Sequence, residues 1–439
     1  MESEHCALLS FHFFFVIRIY KKCERFLGPI RRRAVRKATK WMRHHFEDSD
    51  GLGAIFPPMI YTVIVLRCLG VADDDAEMQW AMKQLHDLKI EEGDTIRLQP
   101  CLSPVWDTAL ATIAIADAGV QPDSNPVRKA VSWLLEREIR YSGDWSLANP
   151  SVEPGGWVFE YRNRFYPDTD DTAMVLMALA RSHPARRAPS NLPSLLTDDL
   201  GPSDEPAAGR AIRWLAAMQN SDGGWAAFDR NINRKVLEKI PFADHNAMLD
   251  PSCPDITARV LKSLGHYGIG TGRSAVDRAI QFIRDTQEPF GAWPGRWGVN
   301  YIYGTWQVLQ GLAAIGFDMS DPMIRRTVDW LKKVQQSSGA WGESCASYND
   351  PNQAGIGTAT ASQTAWALLG LIAAGETDSD AVQSGIDWLV QTQRPDGNWH
   401  EEPFTGTGFP KVFYLKYHYY ALYFPLMALT RAAENTTRG

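Results

Sequence analysis

Cysteine is scarce in this chain and widely scattered. The six, Cys6, Cys23, Cys68, Cys101, Cys253 and Cys345, form no CxxC pair. Such spacing offers neither a zinc site nor a disulfide framework and suits a reducing compartment. An excess of positive charge is lacking too. The net charge of −6 argues against nucleic acid, whose phosphates need a basic footprint. The one basic cluster, GPIRRRAVRKATK at 28–40, reads as a solvated helix face, with anionic lipid as the alternative contact. Long apolar runs are also missing. The N-terminal MESEHCALLSFHFFFVIRIYKK holds only about a dozen apolar residues in sequence, short of the ~20 that span a bilayer. It opens acidic where a secretory signal opens basic. Neither signal nor anchor is expected there, and any membrane association should be peripheral.

Tryptophan, by contrast, is abundant: sixteen in 439 residues, a length that suits two domains or one large repeat array. Four stretches share one pattern: AIRWLAAMQNSDGGW (211–225), AIQFIRDTQEPFGAW (279–293), TVDWLKKVQQSSGAW (327–341) and GIDWLVQTQRPDGNW (385–399). In each, an aromatic (Trp214, Phe282, Trp330, Trp388) precedes Gln219, Gln287, Gln335 or Gln393 by five residues. It precedes a closing tryptophan (Trp225, Trp293, Trp341, Trp399) by eleven. AVSWLLEREIRYSGDW (130–145) is a looser copy running from Trp133 to Trp145, and ATKWMRHHFEDSDGLG (38–53) is looser still.

Repeats of this size are stacked units, each too small to bury its own apolar face. Within each copy a helical spacing is broken by Gly or Pro before the tryptophan. Between copies lies a second helix type, more apolar and rich in small residues, as in TAMVLMALARS, TARVLKSLGHYG, TWQVLQGLAAIG and TAWALLGLIAAG. Several of these stop at glycine. One amphipathic and one apolar helix type in alternation predict concentric layers. The expected fold is all-α: an α/α-toroid, a double-layered helical barrel built from Gln–Trp repeats, with strands sparse.

The repeats, together with PDTDDTA at 167–173, RLQPCLSPVWDTA, GGWVFEY, GRWGVNYIYGT and GTGFPKVFYLKYHYY, resemble the squalene–hopene cyclases, bacterial class II triterpene cyclases. The resemblance covers about residues 30–430. It implies a catalytic α/α-toroid at about 100–439 and a second helical toroid, of which only a remnant at about 1–99 is expected. A long N-terminal stretch of the family pattern is missing, and the first ~25 residues read as extraneous to it. The resemblance further implies squalene as substrate and hopene or hopanol as product. It implies neither metal nor organic cofactor, and monotopic attachment to the cytoplasmic side of the cell membrane. No nucleic-acid partner is expected, and a homodimer is among the assemblies such a chain admits.

Cyclising a polyene starts by protonating an isolated C=C bond, a very weak base. A buried carboxyl cluster can do this, because desolvation and like-charged neighbours keep one member protonated near neutrality. Donors or a cation must then stabilise the conjugate base. The resemblance makes Asp170 the proton donor and Asp168 and Asp171 its tuning partners. The plainer reading is helix capping, for which aspartate in a first turn is a common signal. In PDITARVL, Arg259 stands at the family's basic position and follows Asp255. It could neutralise the spent carboxylate, or simply pair with Asp255 four residues earlier; being permanently charged, it cannot relay protons. Tyr303 matches the family tyrosine that helps, through water, to reload the acid.

Carbocations need stabilisation without nucleophiles, which aromatic faces supply. The positions matching the family's lining are Trp106, Phe159, Trp225, Phe228, Trp297, Phe409, Phe413, Tyr417 and Tyr420. Phe228 stands where a well-studied member of that family has tyrosine. Trp225 also closes a repeat, as do Trp293, Trp341 and Trp399, which read as structural. The long loop at 229–255 is expected to line the entrance channel, with Phe242 at its constriction and a plain insertion as the alternative. In GAIFPPMIY, Phe56 replaces the family glutamine that assists control of the last cation. ADDDAEMQW (72–80) superficially resembles a metal-binding DDxxE, but an acidic first helical turn is the expected reading. Two rivals remain: a class II cyclase acting on another polyprenyl substrate, and a truncated toroid that binds isoprenoid without turnover.

Overall fold

A computed structural model describes residues 28–182, 207–234 and 248–436, together with Arg18. The chain divides into two units, Met1–Pro100 and Cys101–Gly439.

In the first unit, helices α1 (Gly28–His44), α2 (Phe56–Cys68) and α3 (Ala76–Asp87) precede a two-stranded antiparallel hairpin, β1 (Lys89–Glu92) and β2 (Thr95–Leu98). Met42, Val63, Leu66, Met78 and Ala81 form its small core. The acidic run before α3 does what its position suggested: the Asp75 side chain accepts from the Glu77 N–H and caps the helix.

The second unit alternates two helix types. Helices α4 (Pro104–Asp117), α6 (Thr169–Ser182), α8 (Pro254–His266), α10 (Tyr301–Ala314), α12 (Ala361–Ala373) and α14 (Tyr420–Thr436) pack in succession, and α14 returns to α4. This closes a ring. Nearly every residue of α6, α10 and α12 is buried, as their apolar composition requires. Around the ring lie α5 (Asn125–Leu135), α7 (Ala207–Ala217), α9 (Ser274–Asp285), α11 (Pro322–Lys333) and α13 (Asp380–Thr392). These bury one face only: α9, for example, turns Val276, Ala279, Phe282 and Ile283 inward. The second unit is therefore the expected α/α-toroid. A hairpin, β3 (Gly406–Phe409) and β4 (Phe413–Leu415), is added before the last helix.

Each letter of the repeat has a bond to make. The glycine two residues before the closing tryptophan takes the left-handed region, with φ of 91° at Gly223, 99° at Gly291, 90° at Gly339 and 81° at Gly397. The repeat glutamine donates to that glycine's carbonyl and, from Gln219, Gln287 and Gln335, also to Ala275, Met323 and Ala381 at the start of the next outer helix. The indole N–H caps a carbonyl near the end of the preceding outer helix: Trp225 to Leu215, Trp293 to Ile283, Trp341 to Leu331 and Trp399 to Leu389. The backbone N–H of Trp225, Trp293 and Trp341 donates to the hydroxyl of Thr257, Thr305 and Thr364 in the following inner helix. One repeat thus ties two outer helices and one inner helix together.

The looser copy needs correcting. Trp157, not Trp145, occupies the closing place: its indole N–H donates to Leu134 at 2.6 Å and its backbone N–H to Thr172 at 3.0 Å. The stretch between Leu135 and Trp157 is an insertion into the repeat, and Trp145 instead packs edge-on against Trp214. Trp293→Phe should remove one buried hydrogen bond and cost about 1–3 kcal/mol of stability. Denaturant unfolding would show this as a lower midpoint, and turnover per folded molecule should stay near the parent's because Trp293 bonds only to the scaffold.

Candidate active site

The inner helices begin at the site. Each of the six contributes one residue from its first two turns: Trp106 from α4, Asp170 from α6, Arg259 from α8, Tyr303 from α10, Trp366 from α12 and Tyr420 from α14. Five of these, Arg259, Trp106, Tyr420, Trp366 and Tyr303, touch in a circle, and Asp170 joins it at Arg259. Arg259 pairs with Asp170 through Nη1 and donates through Nη2 to the Tyr303 hydroxyl. Its guanidinium also lies 4.8 Å from the Trp106 ring centre. The Trp106 indole donates to the Tyr420 hydroxyl at 3.1 Å. Tyr420 and Tyr303 both meet the Trp366 ring edge-on, with centroids 5.9 and 4.9 Å away.

The three aspartates divide the two roles that sequence alone left in competition. Asp168 is the cap: its Oδ1 accepts from the Asp171 N–H at 2.6 Å. Asp170, in the first turn of α6 and only 6 % exposed, is left to Arg259. Arg259 therefore pairs with the neighbouring inner helix α6 and not with Asp255 on its own helix. Asp255 is occupied elsewhere, accepting from the backbone N–H of Arg296 at 2.6 Å and of Trp297 at 3.4 Å.

Burial dominates the electrostatics. It raises Asp168 to about 7, against hydrogen bonds from Asp171 that pull the other way. It raises Asp171 well above the ordinary carboxylate range, helped by the Asp168 charge and the hydrogen bond the two side chains share. Two carboxyls share such a bond only when one keeps a proton. Burial raises Asp170 as well, but there the Arg259 charge and hydrogen bond oppose it. Burial works against the charge on Arg259 itself, yet Asp170 and Tyr303 hold it firmly protonated. Asp255 is raised to about 6 by burial and by the nearby Asp170 charge.

A pH dependence of stability follows. A carboxyl raised on folding favours the folded state while it is protonated. That contribution is complete below its unfolded value, near 3.8, and is lost as pH rises through the folded values of about 6 for Asp255 and about 7 for Asp168. Calorimetry should show Tm falling from about pH 5 to about pH 8; a rising Tm over that window would contradict these shifts.

Aromatic rings extend from Trp106. Phe159 lies 6.3 Å from Trp106 and 6.3 Å from Tyr417, which stacks on Tyr420 at 4.4 Å. Trp297 meets Phe228 edge-on, and Phe409 faces Phe413 across the β3–β4 hairpin. The hairpin joins the Trp297 loop through Thr407 N–H to Trp297 carbonyl and Val299 N–H to Thr405 carbonyl. The expected aromatics thus fall into three groups, Trp106 with Phe159, Tyr417 and Tyr420, Phe228 with Trp297, and Phe409 with Phe413, and two stand apart. Trp225 is fully buried in the repeat stitch, with the same bonds as the structural Trp293 and Trp341. Phe242 lies outside the described residues. Trp366 is the member sequence reasoning missed; its place one and a half turns into an apolar helix, as for Trp306, was the available signal.

Comparison with known proteins matches this architecture. Residues 102–434 match the family model of the squalene-hopene cyclase C-terminal domain, and residues 3–94 that of the N-terminal domain. The chain belongs to the squalene–hopene cyclase family. The chain is 43% identical over 405 residues to a probable squalene–hopene cyclase of Sinorhizobium fredii, covering 92% of this chain and 61% of the relative. It is 41% identical over 410 residues to the squalene–hopene cyclase of Bradyrhizobium diazoefficiens, with coverage of 92% and 60%. For that of Alicyclobacillus acidocaldarius the figures are 40% over 411 residues, with coverage of 93% and 63%. This cyclase-family chain therefore spans less than two thirds of the length of these relatives. Among solved structures, the type II terpene cyclase MstE from Scytonema shares the fold at 18% identity and a TM-score of 0.50, over 86% of this chain and 99% of that one. The ent-copalyl diphosphate synthase from Streptomyces platensis does so at 18% identity and a TM-score of 0.51, over 81% and 55%.

Proposed function

We propose that this chain cyclises squalene to hopene-type products. Asp170 gives its proton to the CH carbon of a terminal trisubstituted alkene, which leaves a tertiary cation on the dimethyl-bearing carbon. Each following C=C bond attacks the cation before it, and the charge travels along the aromatic wall. Loss of a proton ends the sequence as hopene; capture of water followed by loss of a proton ends it as hopanol. The proton is the electrophile, so the reading calls for no metal and no organic cofactor.

The observation that carries the reading is the buried Asp170–Arg259 pair beside the buried carboxyls of Asp168 and Asp171. Arg259 neutralises the carboxylate as it forms, without itself gaining or losing a proton. Trp106, Phe159, Tyr417 and Tyr420 present π-faces to the first cations, each worth about 2 kcal/mol in a dry site. The relatives' names, squalene–hopene cyclase, support the substrate.

Peripheral attachment to the cytoplasmic side of the membrane belongs to the same proposal. Phe228, Ile232 and Met248, each 37–41 % exposed, flank residues 235–247 in the sequence and offer apolar side chains for such a contact, and Phe228 meets Trp297. No described helix is long and apolar enough to cross a membrane. Vesicle flotation tests the attachment, and sedimentation of the same sample tests the homodimer.

The direct test is a detergent-solubilised incubation with squalene, with and without EDTA, read by gas chromatography–mass spectrometry. Hopene-type products that survive EDTA are expected. Products from other polyprenes alone would move the substrate assignment, and binding without any product would make this a non-catalytic isoprenoid-binding toroid.

A further inference from the structure

Resting on the reading above, we propose that Gly298, together with Gly295, is a positioning element of the acid site: the bare Cα atoms of the turn PGRWG bear on the ring of Tyr303 and hold its hydroxyl on Arg259. A Cβ on Gly298 would fall 2.4–2.6 Å from Tyr303 Cδ2, Cγ and Cε2, and one on Gly295 would fall 2.7 Å from Cδ1. No real side chain tolerates such approaches, so any residue larger than glycine displaces the ring. The ring cannot yield in the other direction either, because Trp366 and Trp306 meet it edge-on at 4.9 and 5.6 Å. Neither glycine has a positive φ, so close approach, not backbone conformation, requires them.

The turn is itself held from outside. The Tyr348 hydroxyl lies 2.9 Å from the Gly295 carbonyl and 2.8 Å from the Gly298 carbonyl, and donates its proton to this pair. The Asn300 side chain accepts from the Gly295 N–H, and Asp255 accepts from Arg296 and Trp297. A rigid turn is thus pressed against one face of a ring whose oxygen accepts from Arg259. Because Arg259 is the donor there, the phenol proton stays free for reloading Asp170. A shift of the ring by a few tenths of an ångström moves that oxygen, and with it the guanidinium that orients Asp170.

A double-mutant cycle separates positioning from packing. Gly298→Ala should lower kcat by about 30–100-fold, the cost of a misplaced group near the chemistry, while KM stays within about 2-fold. Tyr303→Phe keeps the ring and removes only the hydroxyl. In that background the same glycine substitution should cost less than about 3-fold, because no hydroxyl remains to misplace. Equal losses in both backgrounds would overturn the proposal and leave Gly298 a packing residue. Should Gly298→Ala fail to fold, Tyr348→Phe, which frees the two glycine carbonyls without adding bulk, goes through the same cycle with the same criterion. Parent protein that makes no product from any polyprene would instead sink the cyclase reading, so the two failures are distinct.

Discussion

Asp170→Asn should abolish cyclisation, with turnover at least about 10³-fold below the parent's, the scale on which general-acid catalysis acts. Asparagine keeps the shape and one hydrogen-bond acceptor for Arg259 but has no proton of useful acidity. The substitution also strands a buried cation. Breaking one side of a buried pair costs about 3–5 kcal/mol, reduced here by the hydrogen bond the amide oxygen can still accept. The variant should therefore melt lower than the parent yet retain its helical circular dichroism. Asp168→Asn should behave differently: its amide oxygen can still cap α6 through the Asp171 N–H. It should lose activity only in part. Product from the folded Asp170→Asn variant at more than a tenth of the parent rate would remove Asp170 as the acid.

Arg259 yields the second large effect, and its sign depends on the replacement. Its charge opposes the effect of burial on Asp170 and so makes that carboxyl a better acid than burial alone would allow. Arg259→Met removes the charge. Asp170 then holds its proton more tightly, kcat should fall by about 10²-fold, as on loss of one stabilising donor, and the alkaline limb of the pH–rate profile should move up. Arg259→His supplies a charge only below its own pKa, about 6.5 when unperturbed. Its activity should approach the parent's in acid and fade with rising pH, so the alkaline limb moves down. Opposite shifts in the two variants would establish a fixed cation tuning the acid. Identical profiles would contradict it.

Much of this was legible in the sequence. The Gln–Gly–Trp spacing and its alternation with apolar helices dictate a two-layered ring, because neither helix type can bury its surface alone. The DTDD cluster was legible as a candidate acid, with helix capping as its rival, because the pattern alone does not show which carboxyl is spent on the cap. What stayed ambiguous was partnership between neighbouring inner helices. Asp255 offered Arg259 a local partner, and nothing in the one-dimensional pattern shows that its carboxylate is committed to the Arg296 and Trp297 backbone. Trp157 escaped the repeat because an insertion separates it from α5. Thr172, Thr257, Thr305 and Thr364 recur at the start of four inner helices and were a usable signal for the stitch. The packing of Gly295 and Gly298 on Tyr303 had none, since close approach leaves no periodicity.

The most direct test of the central claim, that a carboxyl of this chain starts the reaction by protonating carbon, is incubation with squalene in D₂O. Asp170 exchanges with solvent, so each cyclised molecule should carry one non-exchangeable deuterium, on the ring CH₂ next to the dimethyl-bearing carbon, and Asp170→Asn should yield none. Cyclised product from the parent without deuterium at that carbon would contradict the account.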